Sequence, residues 1–429
     1  MKTERTVSPT LQEEILCTTL PSGLRVVYCP KPGFKKKYAS YSTFYGSVDN
    51  EFLGSDGEKL HVPDGIAHFL EHALFETEAG NVSDLFAQNG AYNNAVTSFT
   101  TTTYLFASSD LFYENLKLLI DFVENPVFEA GKVDKERGII EQEIKGYQDS
   151  PFWVSYMGLL ENLFVHHPLR IDIAGTPESI REITPELLHR CYRTFYHPSN
   201  MMLFVVGDLE QNELMDFVAA HSRTANGAAT GGPQKRFYPE EPREVKVPSS
   251  RKAMPVSMPK LLLGFKELGI PASGAEFVAW TLASELALEV LFGRSSDTYR
   301  ELYEQQLIMD DFGAAYDVGP GIGYCTVGGE TPDPERLLSV VLERIQKWRR
   351  DGIDAADFER EKRRFLGSFI ATFNSLEYIA SYFTYYQFYE YDLFDAVDLL
   401  GKIRLDSVVE RMTSLLDIER VASFTIVPE

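Results

Sequence analysis

The feature that most constrains the fold is a break near the middle of the chain, over residues 222–257. This stretch contains Asn226-Gly227 and Gly231-Gly232-Pro233, several further prolines and little hydrophobic periodicity, which is typical of a linker. A chain of 429 residues is too long for one ordinary domain and suits two of about 200 residues. We therefore predict an N-terminal domain over residues 1–225, a linker over 226–257 and a C-terminal domain over 258–429.

Both halves mix strand and helix patterns, in partly the same order. In the first half we predict strands at residues 24–28, 38–45 and 201–206, one bent strand or a pair of strands at 91–108, and helices at 82–89 and 111–123. In the second half we predict strands at 261–265 and 323–328 and helices at 275–292 and 334–349. The shared order is a sign of duplication and predicts a mixed α and β fold.

Two of the chain's 8 histidines, His68 and His72, fall in one five-residue window with Glu71. Residues four apart on a helix project from the same face, so the two imidazoles can hold one metal ion. Zinc bound by two histidines and a third protein ligand keeps a position for water, and a carboxylate beside it can take the proton of that water. The alternative is a histidine pair on the surface or satisfied in the core. The apolar flanks of the motif predict a buried helix, where ionisable groups need partners.

Glu143 is the best candidate for the third ligand. At the helical period it falls within an apolar stripe that includes Ile140 and Ile144. A buried carboxylate is costly unless a cation compensates it. We predict that Glu143 binds the metal and that Glu136, two turns earlier on the same side, orients a ligand. The alternative is that Glu143 pairs with a lysine or arginine from elsewhere in the chain.

The sequence resembles the pitrilysin, insulysin and mitochondrial processing peptidase family. Members carry the zinc motif His-x-x-Glu-His, the inverse of the commoner His-Glu-x-x-His helix. The resemblance runs through most of the chain and is of the short bacterial type. It rests on residues 65–72 as the metal helix, Glu136 and Glu143 as the paired glutamates, Asn94-Ala95 with Thr97, and residues 175–180, 196–201 and 207–208.

The resemblance implies a role for each of the matching residues. The implied zinc ligands are His68, His72 and Glu143, and the implied general base is Glu71. The strand residues implied to contact the peptide are Asn94, Ala95 and Thr97. It also implies an α+β fold of two homologous α/β domains, each a mainly antiparallel sheet covered by helices, forming half of a clamshell chamber. The implied activity is zinc-dependent hydrolysis of unfolded peptides or short polypeptides within that chamber. The alternatives are a non-catalytic scaffold or receptor subunit of a heteromeric peptidase-like complex, and zinc hydrolysis of a non-peptide substrate.

The second half departs from the family pattern. Where the family has an arginine and a tyrosine, in a stretch like Arg-Glu-Lys-x-Gly-Leu-x-Tyr, this chain has Tyr303 and, at about the tyrosine position, Asp310. Such groups bind substrate and stabilise developing oxyanion charge. The resemblance therefore predicts a heterodimer with a paralogous subunit that supplies them, or otherwise a homodimer. No histidine follows His221, so the second half cannot carry a histidine-based metal site.

Composition excludes several other classes of function. The formal net charge of -22 disfavours nucleic acid and anionic membrane surfaces as partners. No apolar run approaches the ~20 residues of a membrane helix, and the N-terminal stretch lacks the apolar region of a signal peptide. The 4 cysteines are scattered, which indicates neither a disulfide framework nor a cysteine zinc site. We expect a cytoplasmic protein.

Overall fold

The computed structural model describes residues 3–78, 80–222 and 235–429. Two compact units divide the chain. The first consists of Met1–Ile144, Asp172–Phe237 and Thr372–Phe388, and the second of Lys145–Ile171, Tyr238–Ala371 and Tyr389–Glu429.

The strands of the first unit are, in chain order, β1 Thr3–Ser8, β2 Glu13–Thr19, β3 Arg25–Pro30, β4 Lys37–Thr43, β5 Glu51–Leu53, β6 Lys59–His61, β7 Glu76–Thr77, β8 Gly80–Asn81, β9 Tyr92–Thr97, β10 Thr102–Ser108 and β11 Met201–Gly207. Those of the second unit are β12 Ser249–Met254, β13 Lys260–Leu268, β14 Gly313–Gly319, β15 Ile322–Glu330 and β16 Val421–Pro428.

The helices are, in chain order, α1 Ile66–Phe75, α2 Val82–Gln88, α3 Phe112–Glu124, α4 Ala130–Gln148, α5 Pro151–Leu163, α6 Pro177–Arg181, α7 Pro185–Phe195, α8 Gln211–His221, α9 Gly274–Phe292, α10 Asp297–Glu304, α11 Pro334–Asp351, α12 Ala355–Ala371, α13 Leu376–Phe388, α14 Leu393–Lys402 and α15 Leu405–Leu415. Within the described residues, no helix is long and apolar enough to cross a membrane.

The first unit is built on a sheet with the order β1-β2-β3-β11-β4-β10-β9. Its neighbours are antiparallel except β3 and β11. Every residue of β11 is buried, which explains its continuous apolar sequence. Helices cover both faces of the sheet. On one face Phe204 contacts Phe383 of α13, and on the other Tyr41 donates a hydrogen bond to Glu124 of α3.

The second unit has a smaller sheet with the order β12-β16-β13-β15-β14, in which only β12 and β16 are parallel. Helix α5 packs on β13 and β16, and α9 packs on β14. The carboxylate of Glu267 accepts buried hydrogen bonds from Tyr316 and Arg411 at 2.9 and 2.5 Å. The core of this unit therefore includes a paired charge as well as apolar side chains.

The two sheets repeat one topology. Strands β3-β11-β4-β10-β9 match β12-β16-β13-β15-β14 in order along the chain and in direction. Helix α1 lies between β4 and β9 in sequence, and α9 lies between β13 and β14. This repeat confirms the predicted α+β class with two related units, each a mainly antiparallel sheet with helices. Helix α9 stands in the topological position of α1 but contains no histidine.

The predicted domain boundaries differ from the observed units, which are not contiguous in sequence. Lys145–Ile171, predicted in the N-terminal domain, belongs to the second unit, and Thr372–Phe388, predicted in the C-terminal domain, belongs to the first. The physical reason is that α5 buries an apolar face on the sheet of the second unit, and α13 does so on the sheet of the first. The end of the predicted linker forms β12, and residues 226–234 lie outside the described residues.

Candidate metal centre

The candidate site is built on α1, which begins directly after Gly65. This residue has φ of +87°, and a Cβ there would collide with the carbonyl group of Ala174. Glycine therefore suits the start of the helix. His68 and Glu71 are buried in α1, as the apolar flanks predicted, whereas the side chain of His72 is 23% exposed.

Glu143 of α4 meets both histidines. Its Oε1 lies 3.7 Å from His68 Nε2, and its Oε2 lies 3.2 Å from His72 Nε2. The two imidazole rings are 4.7 Å apart between centroids. One ligand atom from each of the three residues lies within 4.8 Å of the others. The side chain of Glu143 is 31% exposed, so it lies at the edge of the apolar stripe of α4 and is less buried than the sequence predicted.

His68 makes no hydrogen bond with the described residues. Its Nδ1 is buried without a partner, and its Nε2 is beyond hydrogen-bonding distance from Glu143. Burial, with His72 nearby, lowers the pKa of His68 to about 4. His68 is therefore a neutral imidazole at physiological pH, which is the form that binds a metal.

His72 lies between two carboxylates. Its Nδ1 is 3.4 Å from Oε2 of Glu136, on the side of the ring away from the nitrogen that faces Glu143. Burial alone would lower the pKa of His72, but the hydrogen bonds with Glu136 and Glu143 raise it to about 9. Glu136 thus lies where a carboxylate can orient the imidazole while leaving Nε2 for a ligand.

Glu71 points into the unit and contacts Thr97 of β9. The Thr97 hydroxyl donates a hydrogen bond to Oε2 of Glu71 and lies 3.4 Å from the hydroxyl of Thr102. Burial raises the pKa of the Glu71 carboxyl, although the bond from Thr97 opposes this effect. The sequence did not reveal this contact. The resemblance singled out Thr97 as a peptide-contacting residue but gave no signal for its bond to Glu71, because the two residues are 26 positions apart.

Strand β9 is the edge of the sheet, beyond β10. Asn94 is exposed and Ala95 is half-buried, so both lie on the edge where a further strand could pair. Thr97 is buried, with its side chain directed at Glu71. Of the three residues predicted to contact a peptide, Asn94 and Ala95 are accessible to one. The side chain of Thr97 instead faces the carboxylate of Glu71.

Tyr303 and Asp310 both belong to the second unit. Tyr303 lies on α10 and is 59% exposed, and Asp310 is exposed in the segment after this helix. Neither can reproduce the guanidinium and the phenol of the family pattern.

The donor set fits zinc. Two imidazole nitrogens and one carboxylate are the ligands of catalytic zinc sites that keep a position for water. Ligands about 2.0–2.1 Å from a tetrahedral zinc lie about 3.3 Å from one another. Oε2 of Glu143 lies 3.2 Å from His72 Nε2 and Oε1 lies 3.7 Å from His68 Nε2, both near this value, and one ligand atom from each residue lies within 4.8 Å of the others. The His68 nitrogen that faces Glu143 is Nε2, and at 3.7 Å it is beyond hydrogen-bonding distance and so available to a metal ion.

Comparison with protein families finds two matches. The model described as insulinase (peptidase family M16) matches residues 54–177, and the model described as the peptidase M16 inactive domain matches residues 182–365. The first match contains every candidate site residue.

Individual relatives cover most of the chain or nearly all of it. The uncharacterized zinc protease YmfH of Bacillus subtilis is 41% identical over 424 residues, 98% of each chain. The zinc protease PqqE of Helicobacter pylori is 24% identical, over 86% of this chain and 82% of its own length.

Solved structures share the fold. A crystal structure described as an M16-like peptidase from Alicyclobacillus acidocaldarius has a TM-score of 0.94 and 34% identity, over 99% of this chain and 100% of its own. Pitrilysin has a TM-score of 0.75 at 14% identity, over 100% of this chain and 46% of its own, which shows a common fold alone.

Proposed function

Because the chain belongs to peptidase family M16, the insulinase family, we propose that it is a zinc-dependent endopeptidase subunit. The observation that carries the proposal is the convergence of His68, His72 and Glu143 within 4.8 Å of one another. Three ligand atoms of the right chemistry, contributed by two helices beside a buried carboxylate, are what zinc hydrolysis of a peptide bond requires.

In this proposal His68, His72 and Glu143 hold one zinc ion. When bound, the zinc acts as a Lewis acid that lowers the pKa of a coordinated water. Glu71 accepts the proton of the attacking water and returns it to the leaving amine. Its burial raises the pKa of the carboxyl and so increases its basicity. Thr97 holds Oε2 of Glu71, which leaves Oε1 for the proton.

The peptide would bind along the edge of β9. An added strand would form main-chain hydrogen bonds with the edge that carries Asn94 and Ala95. This position brings the peptide backbone beside the strand that holds Glu71 through Thr97. The edge geometry thus favours a peptide substrate over a small non-peptide one.

The substrate and partner follow from the family resemblance. We propose that the substrates are unfolded peptides or short polypeptides, cleaved within a closed chamber. Since Tyr303 and Asp310 replace the arginine and tyrosine of the family pattern, we also propose that a paralogous subunit supplies these groups in a heterodimer. A homodimer is the alternative assembly.

A non-catalytic scaffold subunit is the alternative function. Residues 182–365 match the model described as inactive, but the candidate ligands and Glu71 all lie in the other match. A scaffold has no need of a buried glutamate beside two histidines, because burying an ionisable group costs stability.

The test is a peptide-library digest by the chain purified from its native cell together with any copurifying partner. We expect cleavage by the wild-type preparation and none by Glu71→Gln at equal zinc content. Glu141→Gln is a matched control, because Glu141 lies on α4 but pairs with Arg181. If the zinc-loaded wild-type protein, together with its partner, cleaves no peptide in the library, the result would support the scaffold function.

A further inference from the structure

The ligands of the proposed zinc site come from two helices that are far apart in sequence. His68 and His72 lie on α1, and Glu143 lies on α4. Catalytic and metal sites tolerate displacements of only about 0.5 Å, so the position of α4 relative to α1 must be fixed by other contacts. Ile144 is the last residue of α4 that belongs to the first unit, so the contacts that hold α4 there come from residues up to Ile144.

The start of α1 is docked on the segment of residues 172–183, which we name the bracket. Gly65 and Gly175 have φ of +87° and +73°, and their backbones approach closely. A Cβ on Gly175 would lie 2.5 Å from the carbonyl oxygen of Asp64. The hydroxyl of Ser179 donates a hydrogen bond of 2.8 Å to that same oxygen. The bracket therefore fixes the residues from which α1 begins.

The same bracket holds α4 through Arg137. The guanidinium donates from Nε to the carbonyl oxygen of Ile180 at 3.3 Å and from Nη2 to that of Ile183 at 3.0 Å. These carbonyls lie at and just beyond the end of α6, where the helix no longer supplies all hydrogen-bond partners. The Arg137 side chain is only 22% exposed, so its charge-assisted bonds are partly shielded from water.

The other end of α1 is tied to α4 as well. Lys135 pairs with Glu76 at 2.9 Å, and Lys132 donates to the carbonyl oxygen of Thr77 at 2.9 Å. Both contacts lie before Glu136 on α4 and directly after α1. Contacts near both ends of α1 thus hold α4 in place. Of the residues of α4 that make them, Arg137 is the nearest in sequence to Glu136 and Glu143.

We infer that Arg137 is a positioning residue for the zinc site, acting through the bracket to set Glu143 against His68 and His72. This inference rests on the proposed zinc function. Arg137 touches no candidate ligand, and its effect is on the placement of α4. Loss of its two hydrogen bonds to the bracket leaves the carbonyls of Ile180 and Ile183 without this donor and frees α4 to shift.

The test compares Arg137→Gln with the wild-type full chain in two measurements. One is zinc affinity by competition with a chromophoric chelator, and the other is the visible spectrum of the Co²⁺-loaded protein. We expect about a tenfold loss of zinc affinity, in the range seen when groups that support metal ligands are removed. We also expect an altered Co²⁺ spectrum, which reports ligand geometry. The zinc affinity of Arg137→Lys should lie between those of the wild type and Arg137→Gln. Lysine keeps the positive charge but lacks the planar guanidinium that donates two hydrogen bonds at once.

Arg181→Gln is the matched control. Arg181 joins the same two elements through Glu141 at 3.1 Å, but its side chain is 58% exposed, so this pair contributes little. Arg181→Gln should keep wild-type affinity and spectrum. Unfolding midpoints of the zinc-free proteins show whether Arg137→Gln remains folded. If it does not, Ser179→Ala replaces it, with the same loss of affinity expected.

The outcomes separate the two claims. A wild-type chain that binds no zinc overturns the proposed function and the positioning role with it. A wild-type chain that binds zinc, with Arg137→Gln or its Ser179→Ala substitute within twofold of that affinity and an unchanged spectrum, overturns the positioning role alone. Equal losses in these variants and Arg181→Gln would also overturn it.

Discussion

At the residue scale, the hydroxyl of Thr97 is the contact that distinguishes Glu71 from an ordinary buried carboxylate. Thr97→Val keeps the shape of the side chain but removes the hydrogen bond to Glu71. We expect about a tenfold fall in kcat, since a misoriented base lowers the rate of proton transfer. Zinc content and KM should stay near the wild-type values, and Thr97→Ser should restore most of the rate. Thr97→Val with wild-type kcat would show that the hydroxyl does not orient the base.

Glu136 gives a second prediction at this scale. Its carboxylate lies 3.4 Å from Nδ1 of His72, opposite the nitrogen that faces Glu143. Glu136→Gln should weaken zinc binding by about 10–100-fold, as for other groups that orient a metal-bound histidine. Glu141→Gln is the control, because Glu141 lies on the same helix but pairs with Arg181 instead of a histidine. Chelator competition measures both, and equal affinities would remove Glu136 from the site.

At the element scale, the sequence predicted the helix with the two histidines and the helix with both glutamates, because periodicity and spacing are local. It also predicted one bent strand or a pair of strands over residues 91–108, and this stretch forms the two strands β9 and β10. It did not predict that α13 covers the sheet of the first unit. The contact between Phe383 and Phe204 joins residues far apart in the chain, and an amphipathic pattern does not name the sheet that it covers.

Two glycines test the placement of the site helices. Gly65→Ala introduces a Cβ at φ of +87° against the carbonyl of Ala174, so it should destabilise the protein by about 1–3 kcal/mol. Gly138→Ala lies within α4 with open space around the new methyl, and should stabilise by about 0.5–1 kcal/mol. Denaturant unfolding measures both. A stabilising Gly65→Ala would contradict the close approach of α1 to residues 174–175.

At the scale of the whole molecule, the proposed need for a partner gives a further prediction. The isolated chain should bind zinc but cleave peptides slowly, because Tyr303 and Asp310 cannot stabilise an oxyanion as an arginine and a tyrosine would. Adding a paralogue with those two residues should raise the specific activity strongly. Fast turnover by the chain purified free of relatives, as a monomer or a homodimer, would contradict the heterodimer.

The duplication of the fold was indicated by the sequence, whereas the boundaries of the two units were not. The similar order of elements pointed to duplication, and the sheets share one topology. The unit boundaries were not predictable, because α5 and α13 pack on sheets distant in sequence. No histidine follows His221 in the sequence, but the second unit includes His166 and His167 through Lys145–Ile171. The grouping of His68, His72 and Glu143, and not the absence of histidine elsewhere, places the candidate metal site in the first unit.

The proposed chemistry depends above all on one zinc ion held by His68, His72 and Glu143. The zinc content per chain measures this, by elemental analysis after zinc loading and removal of loosely bound metal. We predict about one zinc per wild-type chain and little in Glu143→Gln, with Glu71→Gln near the wild-type value. A wild-type chain without zinc, or a Glu143→Gln chain that retains it at the wild-type level, would contradict this assignment.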